Sequence, residues 1–315
     1  MPATKFASKS FSWGMNLEDL PQQSNKLPTD LSSARIQFVR SWLPWNSFEK
    51  KYNPSELSIS FPFDKFIADM GKAGIEVMGV VGNGYSRFLP QGVNTNDPEG
   101  YIKALARSST EIVRHYKDSI NIWQIENEPN WWLEHTASSW RHGEIWLKMG
   151  MQDRILSTLH GIVREEAPNA KITVNLESDA KKTNFKSYAK YCDVLGLDFY
   201  PNYSHSSPVD ASGIKFAAIV KKQVSIPVYV AETGYPSGPR LLGYNVLKQA
   251  EYIKSACENS FGTDEIAGIG IWKYNDSYLR SFPDQENHFG LLSKEGKPKP
   301  AWKEYAEQIR KATRR

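Results

Sequence analysis

Residues 121–132 read NIWQIENEPNWW, a short apolar run through Ile122, Trp123 and Ile125 that stops on Glu126, Asn127 and Glu128 and turns at Pro129. Residues 226–238, IPVYVAETGYPSG, repeat the arrangement: an apolar run stops on Glu232 and a Pro-containing loop comes next. A strand that ends on a carboxylate and leaves through a loop is one unit of a larger alternation. Further runs with strand character are Phe11–Asn16, Arg35–Trp42, Ile75–Val81, Lys171–Leu176, Asp193–Tyr200 and Ala267–Trp272, so that with Ile120–Glu126 and Pro227–Glu232 there are eight. Between them lie helical stripes, Phe63, Phe66, Ile67 and Met70 in one and Ile102, Leu105, Ala106, Ile112, Val113 and Tyr116 in another. Asp97-Pro98-Glu99 reads as a helix start with Asp as cap, and Trp302, Tyr305, Ala306 and Ile309 give the last helix its buried face. Eight strands separated by helices call for a parallel sheet. A closed barrel and an open doubly wound sheet both satisfy the pattern; the count of eight favours the (β/α)8 TIM barrel.

The 315 residues suit a single catalytic domain spanning 1–315, since such barrels run to about 250 residues or more as one unit. Gly79, Gly82 and Gly84 do not form a dinucleotide fingerprint and no phosphate-loop lysine follows them, so no nucleotide or other cofactor is expected. The six histidines, His115, His135, His142, His160, His205 and His288, include no closely spaced pair, and no metal site is expected. Cys192 and Cys257 read as free buried thiols. The formal charge of +4 is spread along the chain apart from the terminal KATRR, which argues against a nucleic-acid partner. No apolar run reaches the roughly 20 residues of a membrane span, so no membrane partner is expected. The first residues lack the apolar core of a signal peptide, which fits an intracellular protein or one secreted with its leader removed. Oligomeric state is not legible.

Ten tryptophans and fifteen tyrosines are a better guide, several of them in polar surroundings such as PNWWLEH and SSWRHGE. Flat aromatic faces beside polar groups suit either core packing or the CH faces of sugar rings. Two carboxylates at strand ends suit glycosidic chemistry. Retaining hydrolysis needs a protonated carboxyl to assist the leaving oxygen and an ionised one, about 5–5.5 Å away, to attack the anomeric carbon. In a barrel such groups belong at the C-terminal ends of strands.

Asn127-Glu128-Pro129 resembles the fourth-strand motif of the clan A glycoside hydrolases, and Glu232 in its setting resembles the seventh-strand glutamate of the same clan. DVLGLDFYPNY is similar to strand six of clan members, GIGIWKYND to strand eight, and ENHFGLLSKEGKPKPAW to the stretch that ends many such domains. The ETGYPS segment is similar to family 17 and WQIENEPN to families 5 and 39; no single family matches throughout. The resemblance implies Glu128 as acid/base, Glu232 as nucleophile, Asn127 as ligand of the sugar 2-hydroxyl, and Trp272 as the floor under the sugar at the cleaved bond. It also implies Arg40 and Tyr200 as helpers of Glu232, although a buried salt bridge and a core ring remain open for these two. Trp131 and Trp132 fall on the leaving-group side, as subsites for an oligomeric or polymeric carbohydrate or as a packed pair. Glu126, two residues before Glu128, would face the same way in a regular strand and is either a supporting carboxylate or a competitor. The expected activity is a retaining β-glycoside hydrolase, endo-acting on a β-linked oligo- or polysaccharide; a transglycosidase and a non-catalytic carbohydrate-binding barrel are the alternatives.

Overall fold

The computed structural model describes residues 6–7, 10–18, 26–81, 86–130, 145, 149–179, 183–277 and 284–314. Strands β1 (Ser12–Leu17), β2 (Phe38–Trp42), β3 (Glu76–Val80), β4 (Ile122–Asn127), β5 (Lys171–Glu177), β6 (Val194–Phe199), β7 (Val228–Thr233) and β8 (Ile266–Ile271) close into a parallel barrel in chain order. All eight runs read from the sequence are strands. The largest difference is the start of β2, expected at Arg35. Helix α1 (Leu27–Ser33) ends in a tight turn there: Arg35 adopts a left-handed φ of 59°, its N–H donates to Ser32 O at 2.9 Å, and Ile36 N–H donates to Leu31 O at 3.0 Å. The strand cannot begin until that turn is complete.

The chain falls into two compact units, one of Ser41–Lys72 with Glu76–Leu195, the other of Lys5–Arg40 with Ala73–Ile75 and Gly196–Arg315. In the first, helices α2 (Trp45–Phe48), α3 (Asp64–Lys72), α4 (Pro98–Tyr116), α5 (Met151–Glu166) and α6 (Phe185–Ala189) surround β3–β5. The stripe expected on α4 is present, with Leu105, Ile112, Val113 and Tyr116 buried and Ile102 and Ala106 half-buried. Asp97 occupies the N-cap position but its side chain makes no capping bond, a correction to the expected cap. Glu49 is fully buried and saturated: it accepts from Trp45 Nε1 at 3.0 Å, Ser108 Oγ at 2.5 Å and Arg107 Nη2 at 2.5 Å.

In the second unit, α7 (Phe216–Val224), α8 (Val246–Phe261) and α9 (Pro300–Ala312) flank β1 and β6–β8. Phe6 packs edge-on against Phe38 and Tyr229, ring centroids 4.9 and 5.0 Å away, near the N-terminal ends of β2 and β7. On α9 the expected face is buried at Tyr305, Ala306 and Ile309 and half-buried at Trp302. Lys299, before α9, pairs with Asp276 Oδ2 at 2.6 Å and donates to Ser237 Oγ and Gly290 O, each at 2.8 Å, which ties the loops after β7 and β8 together. Cys192 and Cys257 are buried free thiols. Among the described residues no helix is long and apolar enough to cross a membrane.

Irregularities in strand pairing lie beside both acidic groups, and a further one, between Val228↔Ile266 and Val230↔Ile269, gives β8 one more residue than β7 earlier in the same pair. Between Gln124↔Thr173 and Asn127↔Asn175, β4 carries one more residue than β5; between Val230↔Ile269 and Thr233↔Ile271, β7 carries one more than β8. An extra residue in one strand breaks the period-two alternation and re-aims the side chains beyond it.

Candidate active site

On β7 the bulge places Ala231 and Glu232 against the single Gly270 of β8. A Cβ on Gly270 would lie 2.6 Å from Ala231 O, so only glycine admits this close approach. Without the extra residue, Glu232 would lie on the opposite side from Tyr229; with it, Glu232 turns towards Arg40, which shares a strand face with the inward-packed Phe38. The carboxylate is buried and held at both oxygens. Arg40 Nη1 lies 2.7 Å from Oε1, and Tyr200 OH donates to Oε2 at 2.7 Å. Burial, and second the charge of Glu232, push the Tyr200 phenol well above its usual range, so it stays a donor. Tyr200 reaches Glu232 because the strand ends are locked: Thr233 Oγ1 donates to Phe199 O at 2.9 Å and shares a 2.7 Å hydrogen bond with Tyr252 OH.

Asn16, at the end of β1, is the residue that the sequence reading missed here. Its Oδ1 accepts from Arg40 Nη1 at 3.2 Å, its Nδ2 donates to Ala231 O at 3.0 Å, and its backbone O accepts from Tyr274 N–H at 3.0 Å. It is fully buried, and a buried amide closing an apolar strand is the signal that could have marked it. Trp272 follows β8 directly; its N–H donates to Thr233 O at 2.9 Å. A Cβ on Gly234 would come within 2.3 Å of Trp272 O, so the Thr-Gly pair after Glu232 is what lets this tryptophan approach. The Trp272–Lys273 peptide is cis.

On β4 the extra residue falls within Ile125–Glu126, and the strand ends at Asn127. Glu128 lies just beyond it, half-buried, with a left-handed φ of 46° and its N–H donating to Asn175 O at 2.8 Å. Strained backbone of this kind recurs where function fixes the geometry. The same bulge overturns the premise of a regular strand for Glu126 and Glu128. Glu126 is 1% exposed and its Oε1 accepts from Asn127 N–H at 2.8 Å, inside the irregularity. Gln124 Nε2 donates to Glu126 O at 2.9 Å and to Asn127 Oδ1 at 3.2 Å, committing the oxygen end of the Asn127 amide to the protein. Beyond Pro129, Asn130 clamps the loop to β5: it donates to Glu177 O and Thr183 Oγ1, both at 2.8 Å, and accepts from Glu177 N–H at 3.0 Å. Gln124 and Asn130 were also missed, being amides in a motif read for its acids. Trp131 and Trp132 lie outside the described residues. No group of three or more His, Cys, Asp or Glu side chains among the described residues could hold a metal ion.

No protein-family profile matches the chain, and no curated protein sequence does. Solved structures do. A GH5_18 glycoside hydrolase from Streptomyces cattleya in complex with GlcNAc is similar with a TM-score of 0.78 and 17% identity, over 97% of this chain and 81% of that one. A family 39 glycoside hydrolase from Bacteroides cellulosilyticus is similar with a TM-score of 0.69 and 16% identity, over 95% of this chain and 63% of that one. An exo-β-1,4-mannosidase from Opitutaceae bacterium strain TAV5 has a TM-score of 0.72 and 17% identity, over 96% and 60%. The chain has the (β/α)8 barrel of these glycoside hydrolases, consistent with clan A; at such identities the likeness fixes the fold and no single family within it.

Proposed function

We propose that this protein is a retaining β-glycoside hydrolase, built as one catalytic domain, in which Glu232 is the nucleophile and Glu128 the acid/base. The observation that carries the reading is the grip on Glu232: a guanidinium on one carboxylate oxygen and a phenol on the other give its anion one partner per oxygen inside a buried setting. A buried structural carboxylate such as Glu49 has a cation and a hydroxyl as well; what sets Glu232 apart is its place at the C-terminal end of a barrel strand, where active sites of this fold form.

In the first step Glu232 attacks the anomeric carbon while Glu128 gives its proton to the departing oxygen, leaving a covalent glycosyl-enzyme. In the second, Glu128 takes a proton from water as the water oxygen displaces Glu232. The Tyr200 hydrogen bond and the Arg40 ion pair hold the leaving carboxylate in that second step. Asn127, its amide oriented by Gln124, is the ligand of the 2-hydroxyl, and Trp272 is the floor under the ring. Trp131 and Trp132, following the acid/base, are the aromatic subsites that make a chain substrate and endo action the preferred mode. β-Linked gluco- and manno-configured sugars are the first to screen, since the similar structures include one bound to GlcNAc and one named as a β-1,4-mannosidase.

The test is azide rescue combined with product stereochemistry. Wild-type protein should release product with retained configuration. Glu232→Gly with azide should form the inverted α-glycosyl azide, and Glu128→Ala with azide the β-glycosyl azide. Inverted wild-type product, or full wild-type turnover in either variant, rejects the assignment.

A further inference from the structure

Strand β1 ends at Leu17, and Glu18 is the first residue beyond it. Two residues beyond Asn16, whose side chain reaches Arg40 and Ala231 O, Glu18 stands just past the C-terminal end of β1. There it meets Lys273, the residue after Trp272. The lysine side chain is 1% exposed and its Nζ pairs with Glu18 Oε2. Nζ also donates to Ser277 Oγ at 2.7 Å, and Ser277 Oγ donates to the same Glu18 Oε2 at 2.7 Å. Both donors therefore fall on one carboxylate oxygen. The Glu18 side chain is 14% exposed, and among the described residues no donor meets Oε1. Lys273 Nζ, the partner of this carboxylate, lies 5.5 Å from the centroid of the Trp272 ring.

A tether between β1 and β8 does not explain the group, because ladder pairing and the Tyr274 N–H to Asn16 O bond already join these elements. Burying a lysine carries a desolvation cost that a plain apolar contact avoids. What the trio supplies is a fixed acceptor. The carboxylate has only acceptor lone pairs, and the adjacent ammonium balances its charge, so it suits a neutral donor such as a sugar hydroxyl better than a cation.

We propose that Glu18 is a specificity-determining residue. Its Oε1 accepts hydrogen bonds from hydroxyl groups of the sugar ring resting on Trp272, while Lys273 and Ser277 aim the carboxylate at them. This rests on the glycosidase activity proposed above.

The experiment pairs side-chain changes with hydroxyl deletions. kcat/KM is measured on the aryl β-glycoside that the wild type hydrolyses best and on its series of monodeoxy analogues, for wild type, Glu18→Gln and the double variant Glu18→Ala/Lys273→Met, which leaves no unpaired buried ammonium. Wild type should lose about 10- to 100-fold on the analogue lacking the hydroxyl that Glu18 reads. In the double variant that penalty should vanish while the penalties at other ring positions persist, and Glu18→Gln should show a reduced penalty at the same position. Should the double variant not fold, the Glu18→Gln profile decides. Variants that keep the wild-type penalty at every position overturn the inference. Glu232→Ala in the same assay separates the two failures: if it abolishes turnover, only the role of Glu18 is lost, whereas turnover equal to wild type removes the glycosidase reading and this inference with it.

Discussion

The ends of β4 and β7 use one device to different effect. Each strand takes in one residue more than its neighbour just before the acid: Ile125–Glu126 on β4, Ala231–Glu232 on β7. On β7 the bulge keeps the carboxylate within the strand, buried, one oxygen on Arg40 and the other on Tyr200. On β4 the chain overruns the strand, and Glu128 lies outside it, half-buried, on a left-handed backbone. At β4 the precision goes into the main chain: Glu126 braces Asn127 N–H, Gln124 braces its amide, and Asn130 holds the loop. At β7 it goes into the side chain. In the proposed mechanism a nucleophile must be aimed, whereas an acid/base must exchange a proton twice per turnover, and the two kinds of support suit those two proposed tasks.

The contrast is tested most directly at the acids. Glu232→Ala should lower kcat/KM on the order of 10⁴-fold or more on every leaving group. Glu128→Ala should lower it by about 10²- to 10⁴-fold on poor leaving groups and far less on a dinitrophenyl glycoside, which needs no proton. A leaving-group dependence seen in the Glu232 variant instead would reverse the assignment. Next comes Arg40→Met, which strands Glu232 in a buried site: unfolding by denaturant should show a loss of about 3–5 kcal/mol, and a variant as stable as wild type would mean the pair is not the support described. Tyr200→Phe removes one hydrogen bond to a charged group and should lower kcat by about 10- to 100-fold with a small change in stability. The smallest effect belongs to Gln124→Leu, where the Asn127 amide loses its orienting donor; a fall in kcat/KM of about fivefold is expected, and no change at all would show that Asn127 needs no brace.

How far the chain can be read before folding divides along the same line. The eight strands are legible because barrel strands buried on both sides leave continuous apolar runs, and the two acids stand out because each ends such a run. Arg40 and Tyr200 are found through their places at strand ends, and both meet Glu232, the Arg40 contact being a buried salt bridge in its own right. Asn16, Gln124 and Asn130 escape notice: an amide in a strand, or in the loop that follows one, looks like any polar surface residue until the fold closes over it. The bulges escape too. Nothing in WQIEN or VAET announces an extra residue, because a bulge is a mismatch between two strands remote in sequence, and this is why the premise that Glu126 and Glu128 share one side of a regular strand fails. Gly234 and Gly270 are silent for the same reason, their value lying in a carbonyl that approaches from elsewhere.

With Glu128 in its proposed role of acid/base, the left-handed turn there means that folding and chemistry ask for different amino acids at one position. A side chain in that conformation is disfavoured by roughly 1–2 kcal/mol, and glycine alone is at ease there. Of two variants that lack the carboxyl, Glu128→Gly and Glu128→Ala, the glycine version should therefore be the harder to denature, by about 1 kcal/mol. That gap would measure how much resistance to unfolding the wild-type chain gives up in order to carry an acid on this corner.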